Sequence, residues 1–334
     1  MDNMNDRYNR QLLIKQWDQE KIQGSTVTIV GLGALGSVAA TSLAMAGVGS
    51  LILVDFDTIE LSNLNRQLFY RATDVGQEKV TIGAQVIREI NPDIHVIELN
   101  MPIENAPRQT LETSTVILDG LDTFQTRRWI NSFAIGANIP LISGGMYSFL
   151  GNVQVVIPHK TPCLECQSLI PEEELQKACT PFGEVRKRLR PEEEKEEFIP
   201  YVSSVSFVIG GLMAQEALKI ILGLPPLAEY LFWDGEAGMF TSVPLELRDD
   251  CIVCSPRYHL QAIPIRSPAD QQLREFAIQL QYSFNLGSEM TLLFQTQKLS
   301  ISKEKVGEIF HSGAIFRVVD PTLSIPLKFE ITLD

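Results

Sequence analysis

Among the 334 residues of this chain, those whose types and spacing can do chemistry begin with a glycine turn. GLGALG places Gly31, Gly33 and Gly36 directly after the β-branched apolar run Val27 to Val30 and directly before an apolar stretch of helical length. A buried strand, a glycine turn and a helix N-terminus together make a phosphate site, because the amides point outward and the helix dipole favours negative charge. A second apolar run, Leu51 to Val54, closes on Asp55, where a Rossmann-type unit places the carboxylate that binds ribose hydroxyls. Dense polar groups follow: Asp57, then Asn63, Asn65, Arg66 and Gln67 in SNLNRQ, then Lys79. Two cations beside one strand end suit a triphosphate better than a dinucleotide with a neutral nicotinamide end. A nicotinamide-dependent dehydrogenase, which opens with the same glycines, stays as an alternative. A solvated loop with ordinary surface cations is the plainest reading.

Two further groups carry chemistry. Val116 to Leu118 reads as a buried strand closing on Asp119 and Asp122, at the rim where parallel sheets bind ligands. Magnesium takes one or two such carboxylates, and helix capping, assigned to Asp119, is the competing role. The five cysteines divide into the C-x-x-C pairs Cys163/Cys166 and Cys251/Cys254, and one remainder. Two such pairs supply four thiolates for a tetrahedral, closed structural zinc site. Cys179 is left over in KACTPFGEV, whose composition suggests a loop; Lys177, Arg186, Lys187 and Arg188 favour a thiolate and Glu184 opposes one. A buried, inert cysteine is the alternative.

The elements that must position these groups follow from periodicity. Arg7 to Ile22 has helical apolar spacing, Val80 to Ile90 reads as a helix, and Ile94 to Leu99 as a strand. Pro140 to Ser143 reads as a strand running into a Gly144-Gly145 turn. Ser203 to Leu222 reads as a core helix, since Gln215, Glu216 and Lys219 interrupt its apolar run. Antiparallel strands are expected at Phe232 to Asp234 and Met239 to Val243. RKRLRPEEEKEEF, residues 186–198, is a basic block followed by an acidic one and reads as a solvated segment. Pro256, Pro264 and Pro268 punctuate a linker, which divides the chain into domains 1–259 and 260–334. In the second, helices are expected at Ala269 to Leu280 and Lys303 to Phe310, and strands at Met290 to Phe294, Lys298 to Ile301, Ile315 to Val319 and Leu327 to Thr332.

The fold class is therefore α/β: a Rossmann-like unit with a mostly parallel sheet, a zinc knuckle and a small C-terminal α+β module. With 45% apolar residues the chain can build a real core, and 28 basic against 41 acidic residues leave a net charge of −13. That balance argues against nucleic acid or an anionic membrane as the main partner. The absence of a charged, apolar leader points to the cytoplasm.

RYNRQ (Arg7 to Gln11), GLGALG, VDFD (Val54 to Asp57), SNLNRQ, VGQEK (Val75 to Lys79) and LDGLD (Leu118 to Asp122) resemble, in order and spacing, the ubiquitin-activating-enzyme superfamily of ThiF/MoeB-like adenylyltransferases. The resemblance spans about residues 7–254; Ala34 stands where many members have another glycine. It implies that ATP and Mg²⁺ bind among the glycine turn, Asp55, Asp57, Asn63, Asn65, Arg66, Gln67, Lys79 and Asp122. It further implies a homodimer in which Arg10 reaches the neighbouring subunit's triphosphate, zinc on the four paired cysteines, and Cys179 as the catalytic thiol. The substrate would be the C-terminal glycine of a ubiquitin-like protein, adenylated, captured on Cys179 as a thioester, and passed to a conjugating enzyme. In length and pattern the C-terminal module resembles a ubiquitin-fold domain that recruits that enzyme. Two alternatives stay open: a sulfur-carrier-protein adenylyltransferase of the molybdopterin or thiamine/tRNA-thiolation kind, with no thioester, and a non-catalytic subunit of a heterodimer.

Overall fold

The computed structural model describes residues 7–166, 200–227, 230–255, 261–295 and 297–334. Cys179, the basic-acidic block at 186–198 and the proposed division at 259/260 lie outside the described residues. Eight strands form one sheet: β1 (Thr26–Val30), β2 (Ser50–Val54), β3 (His95–Leu99), β4 (Val116–Asp119), β5 (Leu141–Tyr147), β6 (Leu150–Val156), β7 (Tyr230–Asp234) and β8 (Met239–Val243). Their order is β3-β2-β1-β4-β5-β6-β7-β8. The first five in that order run parallel, and β6 to β8 extend the sheet antiparallel. From β1 the chain winds outward to β2 and β3, then returns to place β4 on β1's other side. That reversal opens a crevice at the carboxyl ends of β1 and β4, the switch point where open α/β sheets take ligands.

Apolar helices cover both faces. On one, α1 (Ala34–Ala46), α2 (Lys79–Ile90) and α4 (Ser203–Leu222) pack on the sheet, with α1 and α4 against each other. The helix α4 is long and apolar enough to cross a membrane. Here it lies against α1, β5 and β6, and its buried Glu216 is paired with Lys219 at 2.7 Å. On the other face lies α3 (Phe124–Gly136).

A second, five-stranded sheet follows: β9 (Ile263–Ser267), β10 (Thr291–Phe294), β11 (Gln297–Lys298), β12 (Ala314–Val319) and β13 (Leu327–Leu333), in the order β11-β10-β12-β13-β9. Its face carries α5 (Leu273–Phe284), whose Phe276 meets Phe310 and Phe316.

Three expectations are corrected. Arg7 to Ile22 is not one helix: the described residues give a 3₁₀ turn at Gln11–Leu13 and a short helix at Gln19–Gln23. Of Leu12, Leu13, Ile14, Trp17 and Ile22, which supplied the helical spacing, the first three are exposed while Ile22 is fully buried. The Gly144-Gly145 pair is not a turn but the middle of β5. There a side chain at 144 would collide with Met213 Sδ at 2.3 Å and one at 145 with Asn152 Oδ1 at 2.5 Å. The stretch around Pro264 is a strand, β9, pairing in parallel with β13 at the sheet's edge, the position where a missing N–H does least harm. Element ends also moved: the helix expected at Ala269 to Leu280 is Leu273–Phe284, and that at Lys303 to Phe310 is the single turn Val306–Ile309.

The glycine turn is held from beneath. Gly31 has φ +84°, open to glycine alone at little strain, and a Cβ on Gly36 would sit 1.9 Å from the Gly31 carbonyl oxygen. Gly36→Ala must therefore push α1 off β1. We expect a loss of about 3 kcal/mol or more, read as a lower denaturant midpoint at unchanged slope.

Candidate nucleotide site

A cleft of about 390 Å³ opens at the switch point. The glycine turn forms one wall, the β2 end another, and the loop after β4 a third. Of the residues expected from the sequence, Gly31, Gly33, Asp55, Asp57, Arg66, Gln67, Lys79 and Asp122 line it. Gly36, Asn63 and Asn65 do not reach the cleft and instead shape its walls. Gly36 supports the turn, as above. Asn63 is buried and accepts the Glu60 N–H at 3.1 Å, fixing the loop that carries Arg66. Asn65 Oδ1 accepts from Arg66 at 2.9 Å, and the Ser62 carbonyl accepts from the same guanidinium nitrogen at 2.8 Å. With its guanidinium 4.8 Å from the Tyr201 ring centroid, Arg66 is aimed from three sides. Arg10 is exposed and lies outside the cleft of its own chain.

Asp55 is a structural keystone of the cleft. Its carboxylate accepts the Leu32 N–H at 2.6 Å and the Asp57 N–H at 2.9 Å, so it ties the end of β2 to the glycine turn. Burial raises its pKa above the ordinary carboxylate value, with the nearby Lys79 charge pulling the other way. The charged form is thus disfavoured in the folded protein, so this group opposes folding increasingly as pH rises from the unfolded carboxylate value through the raised one. The site holds that charge in place at some expense in stability. Lys79, the buried first residue of α2, donates to Asp57 Oδ2 at 2.7 Å. Beneath it Tyr70 donates to the Leu32 carbonyl at 2.9 Å and contacts the Lys79 carbonyl at 3.3 Å, joining turn and helix. Burial, then the Asp55 and Asp57 charges, push that phenol well above its usual range.

The two aspartates at the carboxyl end of β4, Asp119 within it and Asp122 in the loop beyond, have different roles from each other, and one differs from expectation. Asp119 does not cap α3. Fully buried, it accepts the Leu121 N–H at 3.0 Å and the Ser143 hydroxyl at 2.8 Å, pinning the β4 turn to β5. The cap is Thr123, whose hydroxyl accepts the Thr126 N–H. Asp122 is exposed and faces the cleft. Arg127 and Tyr201 line the cleft as well, and the sequence reading passed over both. Arg127 donates to the Leu121 carbonyl, to Ser143 Oγ at 3.0 Å and to the Gly144 carbonyl, so it fixes the residue just before Asp122. A cation five positions after Asp122, on the first turns of an expected helix, was the signal available.

The Gln67 Oε1 atom is buried without a partner among the described residues. An orphaned acceptor on the cleft wall fits a ligand that brings hydrogen-bond donors. The set as a whole offers three cations (Arg66, Lys79 and the internally bonded Arg127), a glycine cradle at the head of α1, a ribose-type carboxylate and the exposed carboxylate of Asp122. That composition fits a nucleoside triphosphate with a divalent ion at Asp122.

The four paired cysteines come together as their spacing predicts. All are buried, and their Sγ atoms lie within 4.8 Å of one another, with Cys163–Cys251 at 3.7 Å and Cys166–Cys254 at 3.2 Å. A tetrahedral zinc with bonds of about 2.3 Å spaces its sulfurs by about 3.8 Å, so the donor set and its geometry fit that ion. Burial raises the Cys163 thiol, whereas hydrogen bonds from Cys163, Cys251 and Cys254 hold Cys166 low.

The profile of the ThiF family matches residues 8–253, and the chain belongs to that family. It is 33% identical over 262 residues to the sulfur carrier protein ThiS adenylyltransferase of Escherichia coli (strain K12), covering 75% of this chain and 97% of that protein. It is 28% identical over 348 residues to the NEDD8-activating enzyme E1 catalytic subunit of Caenorhabditis elegans, covering 84% of this chain and 80% of that one. The crystal structure of E. coli MccB shares the fold, with a TM-score of 0.62 and 24% identity over 76% of this chain and 73% of that one. The family agrees with the superfamily resemblance read from the motifs.

Proposed function

We propose that this protein is an ATP-dependent adenylyltransferase acting on the C-terminal carboxylate of a ubiquitin-like or sulfur-carrier protein. The observation that carries this is the convergence of Arg66, Lys79 and Asp122 on one cleft with the glycine turn. The incoming carboxylate is already ionised and attacks the α-phosphate without a general base, breaking the α–β anhydride and expelling pyrophosphate. The protein's own contribution is to hold two anions together: the amides after β1 cradle phosphate, Arg66 and Lys79 offset its charge, and Asp55 orients the sugar. Asp122 would hold Mg²⁺, which supplies neutralisation of the phosphates when bound. Asp57 is the resting counter-ion of Lys79 and gives it up when phosphate arrives. The exposed Leu12, Leu13 and Ile14 support a homodimer paired near Arg10, so that Arg10 serves the partner's cleft. Zinc on Cys163, Cys166, Cys251 and Cys254 is structural.

In the fuller reading the Cys179 thiolate captures the acyl adenylate as a thioester with AMP leaving, and the C-terminal module, acting as a ubiquitin-fold-like domain, presents it to a conjugating enzyme in the cytoplasm. The likeness to the E1 catalytic subunit over 84% of the chain supports this version. The likeness to the sulfur-carrier enzyme, over 97% of that protein, supports a second version that stops at the adenylate.

One experiment tests both. Purified protein is mixed with labelled pyrophosphate, ATP and candidate carriers ending in glycine, and the products are run on gels with and without dithiothreitol. Carrier-dependent ATP–pyrophosphate exchange is expected. A dithiothreitol-labile adduct that disappears in Cys179→Ala selects the thioester version, exchange with no such adduct selects the second, and absence of exchange with every carrier defeats the proposal.

A further inference from the structure

The helix α3 carries two successive buried arginines that face opposite ways. Arg127 faces the cleft and holds the Leu121 carbonyl beside Asp122. Arg128, only 4% exposed, faces the second sheet. It donates to the carbonyls of Phe284 and Asn285 at the end of α5, and to Thr322 Oγ1 at 3.0 Å, and it lies 3.8 Å from the fully buried Asp320. Its remaining nitrogen donates at 2.8 Å to Glu165, which sits between Cys163 and Cys166. One guanidinium thus joins α3, the cysteine knuckle and the C-terminal module. Further anchors lie on the same helix, where the Ser324 N–H donates to Ser132 Oγ at 2.8 Å, and beside it, where Arg108 donates to the Ser324 carbonyl; the apolar core runs without a break from Trp129 and Phe133 through the cysteines to Phe316 and Phe329.

We propose that Arg128 is a positioning residue that fixes the C-terminal module as a buttress behind α3, so that the register of the Asp122 loop depends on the docked module. Lysine offers a single point charge and cannot serve acceptors spread around a planar fork. Loosening α3 shifts Arg127 and the Leu121–Asp122 turn, while the glycine cradle, built on β1 and α1, stays put. The kinetic part of this inference rests on the adenylation reading; the structural part does not.

Deuterium uptake of the zinc-loaded full chain, followed by mass spectrometry, tests it with Arg128→Lys and, as the milder variant made from the module's side, Thr322→Val. We expect uptake in Leu273–Phe284 and in Phe124–Gly136 to rise in both variants, about 10-fold or more in Arg128→Lys and less in Thr322→Val, with Thr26–Ala46 unchanged. In carrier-dependent exchange, kcat should fall about 10- to 100-fold in Arg128→Lys while KM for ATP stays within about threefold. Unchanged uptake in the module overturns the clamp. Raised module uptake with α3 unmoved, or with kcat unchanged, overturns the coupling. Should the wild type show no exchange at all, the adenylation reading falls and the uptake of α3 in Thr322→Val alone decides the coupling.

Discussion

Asp122→Ala should remove carrier-dependent ATP–pyrophosphate exchange, by at least about 10²- to 10³-fold, and leave the fold intact. The two halves of this expectation come from different observations. Asp122 is exposed on the loop between β4 and α3, and the cap of α3 is supplied by its neighbour Thr123. Removing its carboxylate takes away no buried hydrogen bond, so stability should move by no more than about 0.5 kcal/mol. Activity should depend on it under the proposed function, because it is an exposed carboxylate that faces the cleft from the loop after β4. Asp119, three positions earlier, is the natural control. It is buried with the Leu121 N–H and the Ser143 hydroxyl donating to it. Asp119→Asn should therefore lower the melting temperature as well as the rate. A circular-dichroism melt beside the exchange assay separates the two. Undiminished exchange in Asp122→Ala would refute the metal-holding role.

The contrast between these aspartates shows what sequence can and cannot reveal. Both sit at a parallel strand's end, Asp119 as the last residue of β4 and Asp122 in the loop after it, and spacing alone gives no reason to send one inward. The register of β4 on β1 and β5 does so, by placing Asp119 inside the sheet beside Ser143. Features built from neighbours in sequence were legible: the glycine turn between β1 and α1, Asp55 at the end of β2, the long helix Ser203–Leu222 and the paired cysteines. Features built from distant partners were not. Nothing in the local sequence marks Arg128 as buried, yet it meets Glu165 and then Phe284, Asn285 and Thr322, the last three 156 to 194 residues further on. The two glycines of β5 looked like a turn because glycine usually breaks strands. Here they mark where Met213 and Asn152 press against the backbone, which only the tertiary packing can reveal. The N-terminal misreading has another cause: Leu12, Leu13, Ile14, Trp17 and Ile22 together have helical spacing, but Ile22 packs in the core while Leu12, Leu13 and Ile14 are exposed, so the spacing spans two separate turns.

Loss of zinc should have the second large effect. The first cysteine pair follows β6, and the second follows β8 and precedes β9, so a metal between them closes a loop across the far end of the sheet. A structural zinc contributes about 10 kcal/mol or more to the folding of a small domain that has no other core. Here the cysteines are embedded in an apolar cluster that also includes Val253, Ile263 and Phe329, so the sheet itself should survive removal. The local region should not, because four buried thiols packed within 4.8 Å repel once they ionise and offer one another only weak hydrogen bonds when they do not. Cys251→Ser should therefore yield protein without stoichiometric zinc that melts about 10 °C lower. Its fraying should begin at the knuckle and reach the module through Glu165 and Arg128, giving faster deuterium uptake in α5 before β1 to β4 are affected. Metal analysis together with calorimetry checks this. Wild-type protein that carries no zinc when prepared in zinc-replete medium, or a variant that melts with the wild type, would show that the four sulfurs are merely packed together.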